Sequence, residues 1–224
     1  MSQAAAKRGG GKATGSPASR RVWRAFETHG LLLLTDRKLP SVASLVAGSP
    51  VRGSWWGHPR GREIFRAACS LAAHPDVLGV RLVSRKVTLV HRKLWPALVA
   101  VACSREPWQV RGLSRFQRSL LARAARVGQL RSDQLAAASS PKAKLIADAA
   151  RELECRLLVY SDQVHTERGS HAKLLESWEH WMDRVGFAGP RLPVDQSKQR
   201  LDKLLRSLNK RFNADGELPW TRCD

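Results

Sequence analysis

Between Ser114 and Leu153 the chain repeats one pattern, apolar residues three and four apart, each run bounded by a capping residue or a breaker. Ser114 precedes a run with Leu120, Leu121, Ala124 and Ala125 at core spacing, and Gly128 stops it, which predicts a helix with one apolar face. Gln129-Leu130-Arg131 reads as a short extended link. Ser132 caps a brief helix through Ala138, Ser139-Ser140 turn the chain, and Pro141 opens a third helix carrying Leu145, Ile146, Ala149 and Leu153 on one face. A helix, a turn and a helix therefore follow one another, and no other feature constrains the fold as much.

Beyond Cys155, Arg156 to Tyr160 reads as a strand. Ser161 to Thr166 and the turn Glu167-Arg168-Gly169-Ser170 extend it into a hairpin. A helix is expected over Ala172 to Val185 with Leu174, Leu175, Trp178 and Trp181 on one face, and another over Asp195 to Phe212 with Leu201, Leu204, Leu205 and Leu208. Both stripes read as core faces.

The first half has a parallel layout. Leu31 to Leu34 are apolar, Leu39-Pro40-Ser41 opens a short helix through Ala47, and Gly53 to Gly61 form a turn-rich loop followed by a helix to about Ala73. Val77, Val80 and Leu82 make a strand that turns at Ser84-Arg85-Lys86 and returns through Val87, Leu89 and His91, and a further helix runs from Leu94 to about Ala102. Helix followed by hairpin is the layout of a winged module, with Arg85 and Lys86 where a wing meets a phosphate or the minor groove. The expected organisation is a disordered basic tail (1–21), a basic winged-helix-like domain (22–112), a winged helix-turn-helix domain (113–185), and a linker, C-terminal helix and tail (186–224). The fold class is α+β, mainly α with small hairpins.

Charge selects the partner. The chain has 39 Lys and Arg against 19 Asp and Glu, for a formal charge of +20, which points to a polyanion. The imbalance is greatest before Gly112, where 19 of the cations but only 5 of the acids lie. No apolar run approaches the roughly 20 residues of a membrane span, so no membrane partner and a cytoplasmic, nucleoid-associated location are expected. Cys69, Cys103, Cys155 and Cys223 form no C-x-x-C pair; they read as reduced thiols, the first three packed against apolar neighbours.

The candidate nucleic-acid contacts are Arg52, Trp55, Trp56, Arg60 and Arg62 around the Gly-rich loop, Arg85 and Lys86 at the hairpin tip, and Lys142 and Lys144 at the start of the third helix of the second unit. Helix N-termini favour phosphates, and an indole beside Arg either stacks on a base or anchors the loop to the core. His58 with Glu63, His74 with Asp76, and His165, His171 and His180 with Glu167 or Glu176 lack metal-site spacing. No phosphate-cradling loop or nucleophile elbow is present. No cofactor or metal is expected.

Leu120 to Leu130 (LLARAARVGQL) and Asp148 to Glu154 (DAARELE) give the segment from Leu113 to about Trp181 its resemblance to winged-helix DNA-binding domains. More narrowly, Leu153 to Tyr160 (LECRLLVY), before a turn and a Trp-rich segment, is similar to the tandem winged-helix bacterial DNA glycosylases that excise alkylated or crosslinked bases. Those enzymes activate water with a Gln-x-Gln or Gln-x-Asp motif, and none of Gln3, Gln109, Gln117, Gln129, Gln134, Gln163, Gln196 and Gln199 belongs to such a pair. The resemblance thus implies binding of double-stranded DNA by a bacterial protein of DNA repair or chromosome maintenance, without the family's catalytic motif. A reduced glycosylase-like enzyme and a protein-interaction module, docking a partner on the C-terminal helices, are the alternative expectations.

Overall fold

The computed structural model describes residues 16–139, 143–165, 171–188 and 192–222. Both halves use one order of elements. The first contains α1 (Pro17–His29), β1 (Leu31–Leu33), α2 (Val42–Ala47), α3 (Gly61–Ala72), β2 (Val77–Arg81) and β3 (Val87–His91). A connecting pair, α4 (Trp95–Ala102) and α5 (Pro107–Val110), leads to the second half: α6 (Arg115–Val127), β4 (Gln129–Arg131), α7 (Ser132–Ser139), α8 (Ala143–Cys155), β5 (Tyr160–His165) and β6 (His171–Glu176). The chain continues in α9 (Trp178–Val185) and α10 (Val194–Phe212). Each half forms a three-stranded antiparallel sheet in which the last strand is central, β1-β3-β2 and β4-β6-β5. The class is α+β, as expected from the sequence.

Local chemistry sets most boundaries. Ser114 accepts from the Gln117 N–H while Gln117 bonds back to the Ser114 N–H, a reciprocal cap on α6. Ser41 and Ser44 do the same for α2. Helix α1 starts at Pro17, so the expected tail boundary at Arg21 falls inside a helix. Ala18, Val22 and Phe26, four apart, are buried there, and this apolar spacing outweighs Arg20 and Arg21.

Two assignments after α8 are corrected. Arg156 to Val159 is not strand: the backbone reverses through a left-handed Leu157 (φ 54°), the Leu158 N–H reaches back to Leu153 O, and the strand starts at Tyr160. Leu157, Leu158 and Val159 are buried in this turn. The helix expected over Ala172 to Val185 is instead β6 and α9, separated by Ser177, whose hydroxyl caps α9. Pairing on both sides, with β4 and β5, holds Leu174 and Leu175 in extended backbone. The turn expected at Glu167 to Ser170 lies outside the described residues.

The first sheet packs on both faces. Leu32 and Leu89 face α1, α2 and α3, whereas Leu31, Leu33, Leu78, Val80 and Val90 belong to a core shared with α4 and α10. That second core also takes Leu157, Trp178 and Trp181 from the other half, with the Trp95 and Trp181 rings 5.2 Å apart. Trp178 donates its indole N–H to Leu157 O at 2.7 Å. Gln109, fully buried, donates to Ala102 O and Arg156 O. The halves are thus joined by apolar burial and satisfied polar groups. The C-terminal stripes read from sequence as core faces are buried in the chain's own core, Leu201, Leu205 and Leu208 among them, rather than left for a partner. No described helix is long and apolar enough to cross a membrane.

Candidate nucleic-acid interface

Four of the candidate residues, Trp55, Trp56, Arg60 and Arg62, sit at the start of α3, and a fifth, Arg52, lies on the loop that leads to it. Arg52 is exposed on the loop after α2, and Trp55 to Gly57 form a single 3-10 turn that leads through His58 and Pro59 to Arg60, the residue before the helix. The two indoles divide the roles foreseen for them. Trp55 is half-buried against the core beneath α1, α2 and α3; Trp56 stacks on it with centroids 4.2 Å apart, is 64% exposed, and lies 5.3 Å from the Phe65 ring. Gly61 permits this arrangement, because a Cβ there would lie 2.9 Å from Trp55 O and 3.0 Å from Trp56 O.

Helix α3 turns Ile64, Ala67 and Leu71 inward, while Arg62, Phe65, Arg66 and Cys69 share its outer stripe. Arg60 is tied to Glu63, Nη2 to Oε2 2.6 Å, which holds the Glu63 carboxyl below the usual range. The side chains of Arg52, Arg62 and Arg66 make no hydrogen bond or ion pair among the described residues. Such cations have charge left for a polyanion. Cys69, expected to be packed, is exposed.

The hairpin tip is tied to acidic residues elsewhere in the protein. Ser84 and Arg85 adopt left-handed backbone (φ 50° and 60°), and the Ser84 N–H donates to Glu217 O at 2.8 Å. Arg85 Nη2 is bonded to Glu152 Oε2 on α8, and Lys86 Nζ to Asp36 Oδ2 at 2.7 Å. Burial alone would raise the Asp36 carboxyl, but Lys86 and the backbone N–H groups of Lys38 and Leu39 hold it below the usual carboxylate range. Both expected phosphate contacts are engaged within the protein.

No family model, curated protein or solved structure matches this chain. Its chemistry is therefore read from geometry alone. Lys144 is exposed in the first turn of α8, apart from the cluster at α3, and Lys142 lies outside the described residues. His58 Nδ1 accepts from the Arg60 N–H, a turn contact, and His74 lies 4.0 Å from Asp76.

A groove of about 700 Å³ opens beside the aromatic cluster. Trp56, Phe65, Cys69 and Ala72 form one wall; Tyr160, Ser161, Asp162 and Gln163 of β5 form the other; Gly79, Val87 and Leu89 of the first sheet lie between them. At one edge Glu154, 5% exposed, accepts from Arg81 Nε at 2.8 Å and from Lys173 Nζ. Sequence reasoning did not single out Phe65 or the β5 wall. An aromatic between two Arg at helical spacing was a readable signal; the approach of β5, from the other half of the chain, was not.

Proposed function

We infer that the protein binds double-stranded DNA through two winged-helix units, with α3 of the first unit as its principal contact. The observation that carries this reading is the exposed stripe of α3: the side chains of Arg62 and Arg66 make no hydrogen bond or ion pair among the described residues, Glu63 beside Arg66 being bonded to Arg60, and Arg52 on the preceding loop is likewise exposed and without an ion pair there. Phosphate neutralisation and counterion release act through such side chains. The order of elements supports it further. In each half a helix pair, α2 and α3 or α7 and α8, is followed by an antiparallel hairpin, and in a helix-turn-helix module the second helix of the pair offers its N-terminal residues to the groove and backbone.

Within this reading the first hairpin is not the principal contact, since Arg85 and Lys86 are ion-paired to Glu152 and Asp36 of the protein itself. The α3 N-terminus and its Trp turn provide the contact surface, with Lys144 on α8 as a second cationic point. The role is that of a binding protein in DNA repair or chromosome maintenance.

Fluorescence anisotropy of a labelled duplex, titrated with the full chain at several salt concentrations, tests the reading. Affinity that falls steeply and linearly in log–log form with salt is the expected result. Weak binding, or binding indifferent to salt, overturns it.

A further inference from the structure

We propose that the groove between α3 and β5 holds the bases of a single nucleic-acid strand where that strand leaves a duplex. The proposal rests on the duplex-binding reading above and names what the neighbouring groove adds to it.

The two walls differ in chemistry. On the α3 side the exposed rings of Trp56 and Phe65 line the groove, and Arg62 and Arg66, outside the lining itself, flank Phe65 on the outer face of the same helix; Arg81 and Lys173, the cations that do line the groove, are both bonded to Glu154. On the β5 side, Asp162 and Gln163 are exposed. A carboxylate repels phosphate but accepts a hydrogen bond from a base amino group, and an amide can serve either edge of a base. The backbone of a bound strand therefore belongs on the cationic side, with its bases turned toward β5.

The aromatic platform is fixed before any ligand arrives. Trp55 is packed against the core, Trp56 lies on Trp55 at an interplanar angle of 24°, and Phe65 is held on a helix. Trp56 and Phe65 are nonetheless 64% and 45% exposed. Bases stack on such rings with little regard to sequence. Exposed residues on both walls make the space a trough rather than a chamber, so a strand can pass along it.

Gly79 marks open space that the fold does not need. A Cβ at Gly79 would meet nothing nearer than Leu89 Cδ2, at an ordinary 3.7 Å. A side chain at this position therefore starts among the residues that line the groove, without a clash at its first atom.

The test compares a blunt hairpin duplex with the same duplex carrying a single-stranded tail, 2-aminopurine being the first unpaired base. The expected result is binding of the tailed duplex on the order of tenfold tighter, from stacking, with a change in 2-aminopurine emission. Gly79→Leu should abolish both the preference and the emission change while keeping the blunt-duplex affinity and the Tm of the native protein. Trp56→Ala, at an exposed ring, supplies a second variant: a tail preference that survives it overturns the proposal. Equal binding of blunt and tailed duplexes by the native chain also overturns it and leaves the duplex reading standing. Failure to bind either duplex overturns both.

Discussion

Arg85 Nη2 lies 2.5 Å from Glu152 Oε2, joining the tip of the first hairpin to α8 of the second unit across 67 positions of sequence. Arg156 binds the other oxygen of the same carboxylate at 2.7 Å. Two guanidinium groups thus share Glu152, and the basic turn of the first hairpin becomes part of the contact between the units. Arg85→Ala is expected to change duplex affinity by less than about twofold while lowering unfolding stability by about 1 kcal/mol or less, because the pair is partly solvated. Urea denaturation and anisotropy on the same variant check the two effects separately.

The opposite outcome is expected on α3. Replacing both Arg62 and Arg66 with Ala should weaken duplex binding and reduce the slope of log affinity against log salt by about two, roughly one for each lost phosphate contact. Neither side chain makes a hydrogen bond or ion pair among the described residues. The Tm should therefore stay near its native value.

Gly61→Ala tests the Trp turn. The added methyl would sit 2.9 Å from a backbone oxygen that cannot rotate away, so the turn or the helix start must shift, at a cost of about 1 to 3 kcal/mol. Gly57→Ala, with nothing within 4 Å of the new atom, is the matched control. Thermal denaturation should separate them, and Trp fluorescence should change in the first alone.

Acid should loosen the contacts around Glu152 and Asp36. Burial opposes ionisation of the Glu152 carboxyl, yet the bonds from Arg156 and Arg85 prevail and hold it below its ordinary value; Lys86 and two backbone N–H groups do so for Asp36. A carboxyl depressed in the folded state contributes stability that is present above its unfolded pKa, about 4, and is lost as pH falls through the lower folded value. Urea midpoints should therefore decline below about pH 5, and Glu152→Gln should flatten part of that decline.

The elements legible in advance were those specified by neighbours in sequence. Ser114 with Gln117, the stop at Gly128, and the alternation of β2 and β3 each depend on residues a few positions apart, so composition and spacing suffice to locate them. The same holds for the cationic, aromatic character of the loop before α3. What the tertiary structure alone decided involves distant partners. Leu174 and Leu175 carry helix-compatible spacing but are drawn into a strand by β4, some forty residues earlier, because pairing on both sides satisfies the backbone of β6. Arg85 and Arg62 look alike in sequence, as basic residues beside turns. One finds Glu152 and the other finds no acid among the described residues, and only the packing of one unit against the other brings a carboxylate within reach of the first.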